Sequence, residues 1–143
     1  MIPANATIGG TLRTMEADTR LRMIRDIEAV AQNAAATVGC NVSMELRPGY
    51  PPTLNHEVDA LFARDIIADM LGPNGLETGM KPVMGAEDFS FMLNQKPGAY
   101  IWLGAGLESE NLHSPHFDFN DEILTIGASL WVRLAESKLA QTR

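Results

Sequence analysis

The seven residues Asn41-Val42-Ser43-Met44-Glu45-Leu46-Arg47 alternate in character along their whole length. Val42, Met44 and Leu46 fall on one side of an extended chain, and Asn41, Ser43, Glu45 and Arg47 on the other. That period of two is what a half-buried strand requires. Toward the N-terminus, Asp18 or Thr19 can cap a helix running to about Val38, with Ile24, Ile27, Ala31, Ala34 and Val38 recurring at helical spacing. Gly39 supplies its stop. Earlier still, residues 6–14 read A-T-I-G-G-T-L-R-T, placing Ile8, Gly10 and Leu12 opposite Thr7, Gly9, Thr11 and Arg13. Two glycines weaken a strand there but suit close approach of another backbone. Strand, helix and strand make a β-α-β unit, so the expected fold class is α/β.

The unit is incomplete, because two strands and one helix leave an apolar sheet face and open edges. Pro48, Gly49, Pro51 and Pro52 form a stiff break after it, which divides the chain into residues 1–52 and 53–143. In the second block Asn55 is a candidate cap for a helix carrying Val58, Leu61, Phe62, Asp65, Ile66, Met70 and Leu71. Residues 72–82 hold three glycines and two prolines and read as loop. A short helix follows around Phe89, Met92 and Leu93, then a short apolar strand over Ala99–Leu103. Residues 104–119 form a long loop. Asn120 caps the last helix, with Asp121 and Glu122 in its first turn and Ile123, Ile126, Leu130, Leu134 and Ser137 as its inner stripe. One convincing strand, with a second short one near Val83, cannot satisfy its backbone without a sheet to join. Both blocks therefore lack partners, and the chain reads as a piece of a larger protein.

The 143 residues are 45% hydrophobic and 20% charged, enough for a domain-sized core and far from a disordered composition. A formal charge of -7 and the absence of any basic stripe argue against a nucleic-acid partner. Cys40 is the single cysteine, which fits a reducing, cytoplasmic setting. The N-terminal residues carry no signal-peptide pattern, and the apolar stretches are too short to span a membrane.

Three positions could carry chemistry. His113, in Asn111-Leu112-His113-Ser114-Pro115-His116-Phe117-Asp118, sits in a loop before a helix, where imidazole can bind a metal, move a proton or simply tie the loop. Glu87-Asp88 can serve as N-terminal helix charge, or Glu87 can point into a cleft that Gly85 opens. Arg13 is either a solvent-facing strand residue or a fork for a carboxylate. No phosphate loop and no helical H-E-x-x-H motif occurs, and Cys40 has no histidine close in sequence.

Several segments resemble the amidohydrolase branch of the M20 metallopeptidases, which includes hippurate, N-acyl-amino-acid and auxin-conjugate hydrolases. Met84-Gly85-Ala86-Glu87-Asp88-Phe89-Ser90, followed by Pro97-Gly98-Ala99-Tyr100, is similar to that branch's core motif. Leu112-His113-Ser114-Pro115-x-Phe117-Asp118-Phe119-Asn120-Asp121-Glu122 is similar to its C-terminal motif. Ile2-Pro3-x-x-Ala6 with Gly10-Thr11-Leu12-Arg13-Thr14 resembles its lid strand, and Gly49-Tyr50-Pro51-Pro52-x-x-Asn55 its return to the catalytic domain.

The resemblance implies a two-domain enzyme: a three-layer α/β catalytic domain with an inserted, dimer-forming α/β lid. Residues 1–52 would be the second half of the lid and 53–143 the C-terminal part of the catalytic domain. It also implies cleavage of N-acyl amino acids by two divalent metals, whether zinc, manganese or cobalt. His113 would be the last metal ligand, Glu87 would line the cleft and Arg13 would reach for the substrate carboxylate. The family's Cys-x-His stretch, Glu-Glu pair and general base have no counterpart here. The isolated chain is accordingly expected to be inactive, to hold no metal tightly and to self-associate as a homo-oligomer. Two other readings remain: a non-catalytic assembly or interaction module derived from the same scaffold, and a small enzyme built on His113, His116 and Asp118.

Overall fold

The structure, a computed structural model, describes residues 3–141. Its regular elements are four α-helices, α1 (Ala17–Ala36), α2 (Glu57–Leu71), α3 (Phe89–Gln95) and α4 (Leu124–Gln141). Single 3-10 turns at Pro73–Gly75 and Asp121–Ile123 extend α2 and introduce α4. No described residue lies in a β-strand, so the expected α/β class is overturned, and with it the lid strands and the three-layer catalytic domain. Residues 6–14 and 41–47 form no regular element and pair with no other segment among the described residues, and Ile8, the centre of the first expected strand, is completely exposed. Alternation specifies which face a strand would bury; it does not supply the neighbouring backbone that makes a strand.

The helices fare differently, because their backbone bonds are internal. α1 spans almost the expected range, although its N-cap is Glu16 rather than Asp18 or Thr19. Its stop is as the sequence suggests: Gly39 adopts φ 71°, its N–H donates to Ala36 O at 3.2 Å, and Cys40 N–H donates to Ala35 O at 3.0 Å. This pair of reversed bonds closes a helix end around a left-handed glycine. None of the apolar residues of α1 is buried, however, and Val30 and Val38 are largely exposed. The amphipathic stripe exists with nothing against it.

The core lies in the second block and is small. Ala63 and Ile67 on α2 and Leu93 on α3 are its buried apolar residues, joined by fully buried Ser90. α2 packs on α4, whose half-buried residues Ile126, Leu130, Leu134 and Ser137 form the expected stripe. Charged contacts line the same seam: Arg133 pairs with Asp69, and Lys138 reaches Asp59 at 3.8 Å while lying 5.0 Å from the Phe62 ring. The start of α2 thus meets the end of α4. Such solvent-screened pairs contribute about 0.2–1 kcal/mol each, so they orient the helices more than they hold them. Among the described residues, no helix is long and apolar enough to cross a membrane.

The chain exposes 12348 Å², against roughly 7,200 Å² for a typical folded monomer of its mass. With so thin a core, single contacts matter. Ile67→Ala is expected to cost about 2–5 kcal/mol and abolish cooperative helix melting, whereas Ile8→Ala changes stability by less than about 0.5 kcal/mol. Thermal denaturation followed by far-UV circular dichroism checks both, and the same spectra test the helix-only architecture.

Candidate functional site

The best-organised polar group surrounds α3. This helix is under two turns long, so most of its first amides lack an internal acceptor. Glu87, two residues ahead of Phe89, supplies one: its Oε1 accepts the Phe89 N–H at 3.2 Å. Its backbone carbonyl accepts from both the Ser90 hydroxyl (2.7 Å) and the Ser90 N–H (3.3 Å), which satisfies the one fully buried polar side chain. The helix-charge reading of Glu87 is therefore realised. A second partner was not foreseen. The Tyr100 hydroxyl donates to Glu87 Oε2 at 3.0 Å, so both carboxylate oxygens are engaged.

Tyr100 sits between two rings, tilted against Phe89 at 5.6 Å and edge-on to Trp102 at 5.7 Å. Tyr50, from the proline-rich break, meets Phe91 of α3 edge-on at 5.8 Å. The pairing of Glu87 with Tyr100 moves both titrations apart. The Phe89 amide, then the Tyr100 hydroxyl, hold the Glu87 carboxyl below its ordinary value, outweighing partial burial. The bond to Glu87, then burial and the charges of Glu87 and Asp88, push the Tyr100 phenol up. Glu87 is consequently a fixed anion at neutral pH, suited to accept hydrogen bonds from an amide or ammonium rather than to shuttle a proton.

The other expected site residues are elsewhere. Arg13 is exposed and donates to its neighbour Thr11 Oγ1 at 3.4 Å. His113 is exposed and adopts φ 71°, the one described non-glycine residue in the left-handed region. No hydrogen bond or ion pair joins any two of Arg13, Glu87 and His113 among the described residues. A concavity of about 360 Å³ lies between residues 105–109 and 118–120, near the His113 loop, and includes none of the three. Its wall is braced by Asn120, whose Nδ2 donates to Ala105 O at 2.9 Å while its Oδ1 accepts the Glu122 N–H at 3.0 Å.

Comparison with known proteins gives this geometry a context. Residues 4–137 match the profile of peptidase family M20/M25/M40, which is nearly the whole chain. The chain belongs to this family. It is 34% identical over 152 residues to the IAA-amino acid hydrolase ILR1-like 4 of Arabidopsis thaliana, covering all of this chain and 34% of that protein. The ILR1-like 5 hydrolase of the same plant is 36% identical over 94% of this chain and 33% of its own length. The hippurate hydrolase of Campylobacter jejuni is 30% identical over 94% of this chain and 35% of its own. This M20 chain thus spans about a third of the length of the curated relatives it matches.

A two-metal site does not fit the described residues. Nowhere among them do three histidine, cysteine, aspartate or glutamate side chains gather at ligating distance. A catalytic zinc needs about three protein ligands, and His113 belongs to no such group among the described residues. His116 likewise belongs to no group of three candidate ligands among the described residues.

Two outcomes follow from the M20 chain's local geometry. Because the folded Glu87 has the lower pKa, its contribution to stability is present above the unfolded value near 4.5 and is lost as pH falls through the folded one. The raised Tyr100 contributes below about pH 10 and loses that contribution as pH rises through its folded value. Urea unfolding across pH should show both limbs, and Glu87→Gln should flatten the acid limb and shrink the alkaline one. At His113, the left-handed backbone favours glycine, so His113→Gly should be about 1 kcal/mol more stable than His113→Ala in the same assay.

Proposed function

We propose that this chain acts as a non-catalytic assembly module built on the M20 scaffold, working docked against further protein surface and associating with copies of itself. The observation that carries the reading is the exposed area, about 5,000 Å² above that of a self-contained monomer of this mass, which exceeds one partner's share of a large obligate interface. Trp131 of α4, Leu107 of the long loop and the apolar stripe of α1 all contribute to it. Partners of that kind are protein; nothing basic enough for nucleic acid is presented. The free, exposed Cys40 suits a reducing cytoplasmic setting.

A second reading is favoured by the relatives named as amide hydrolases, matched across nearly the whole chain. Within a longer M20 amidohydrolase of the hippurate-hydrolase branch, residues 1–52 would belong to a lid and 53–143 to the catalytic part. Glu87 would then line the cleft for an N-acyl amino acid, Arg13 would take its carboxylate and His113 would ligate one of two divalent metals, completed by donors outside this chain. The two readings are compatible: a module that docks can also lend residues to a site it does not complete.

Light scattering between micromolar and millimolar concentration should give a dimer or larger species, and a clean monomer throughout would overturn the assembly reading. Calorimetric titration with zinc and manganese should give no stoichiometric tight binding. Turnover of hippurate or an N-acetyl amino acid by the pure chain would contradict a non-catalytic role.

A further inference from the structure

We infer that Asn55 is a positioning residue for the Glu87 carboxylate, acting through Tyr100. The inference rests on the reading that Glu87 faces a substrate. Asn55 lies two residues ahead of α2 and was a natural candidate to cap it, yet the cap position is His56 and no side chain caps the helix. Instead the Asn55 carboxamide turns away to residue 100. Its Nδ2 donates to the Tyr100 carbonyl at 2.9 Å, and its Oδ1 accepts the Tyr100 N–H at 2.8 Å. A carboxamide offers donor and acceptor side by side as a peptide group does, so it closes a two-bond ring on one residue of a neighbouring segment.

His56 repeats the device next door. Its backbone N–H donates to Gly98 O at 3.0 Å, and its Nδ1 accepts the Gly98 N–H at 3.2 Å. Residues 55 and 56 thus make four hydrogen bonds to residues 98 and 100, across more than forty positions of sequence. Among the described residues, no other hydrogen bonds tie the 98–100 backbone. The phenol that this backbone carries is then steered by Phe89 and Trp102 onto Glu87 Oε2. The Phe89 amide fixes Oε1, so Asn55 governs, at one remove, the second of the two anchors that set the carboxylate plane.

The chain has two tyrosines, so in a Tyr50→Phe background ultraviolet titration reads Tyr100 alone. Amide hydrogen exchange of Tyr100 reads the Asn55 ring. In that background the phenol should titrate above the ordinary tyrosine value of about 10, with Asp88 as well as Glu87 contributing charge. Glu87→Gln should lower the midpoint while leaving the Tyr100 amide protected. Asn55→Ala should speed exchange of that amide at least tenfold and lower the midpoint too, with far-UV circular dichroism unchanged. Should Asn55→Ala lose helix, Asn55→Ser, whose single shorter-reaching hydroxyl replaces the carboxamide incompletely, should give intermediate exchange and an intermediate midpoint. Fast exchange with an unmoved midpoint in either variant would overturn the inference. Neither readout involves substrate, so that result would remove Asn55 from the arrangement while the cleft reading of Glu87 stands or falls on its own.

Discussion

A backbone segment outside the helices is ordered only where hydrogen-bond partners are presented to it, and in this chain one such segment is met mainly by side chains. Residues 98–100 are met by the carboxamide of Asn55 and by the imidazole and backbone N–H of His56. The arrangement around Glu87 depends on that junction. It ties the loop after α3 to the start of α2, brings Tyr100 to Glu87, and so links the small core around Ala63, Ile67 and Leu93 to the candidate site. Net contributions of about 1 kcal/mol per bond are modest, but four bonds concentrated on two residues are a large share of what so small a core supplies.

The same constraint explains which parts of the fold were legible in the sequence. A helix satisfies its own backbone, so periodicity and a stop signal suffice to place it; α1, α3 and α4 lie close to where Ile24, Phe89 and Leu130 put them, and Gly39 ends α1 by its left-handed φ. A strand is satisfied by something else, and the pattern of residues 41–47 says only which side would face inward. With no neighbouring backbone, Val42, Met44 and Leu46 stay exposed. Residues 99–103 fail to become a strand for a subtler reason: the partner presented to them is made largely of side-chain atoms, and a ladder needs a second run of peptide groups.

The site was legible in the same partial way. Glu87 could be singled out because an acidic pair before a short helix has two readings, and the Phe89 N–H contact realises one of them. Tyr100 carries no such signal, since a thirteen-residue separation from Glu87 has no periodic signature. Asn55 misled more directly: its type and place fit a helix cap, whereas its side chain gains two bonds from Tyr100 where a cap would gain one. His113 carried its signal in the backbone, where a left-handed φ at a non-glycine residue marks a constraint that side-chain chemistry does not announce.

These features bear on how an M20 chain that spans a third of its relatives can matter. A carboxylate held at both oxygens, with its pKa pressed down, is prepared before any ligand arrives. Its rigidity comes from within the chain, through Phe89, Tyr100 and Asn55, and needs no help from elsewhere. His113 is the opposite case. It is exposed, left-handed and without a hydrogen bond or ion pair among the described residues, so nothing here turns its imidazole into a ligand set. A held carboxylate and an imidazole without partners coexist in one chain because they rest on different elements: α3 with its loop on one side, the 104–119 loop on the other. The carboxylate is fixed within the chain, whereas a ligand set that used His113 would need donors beyond the described residues.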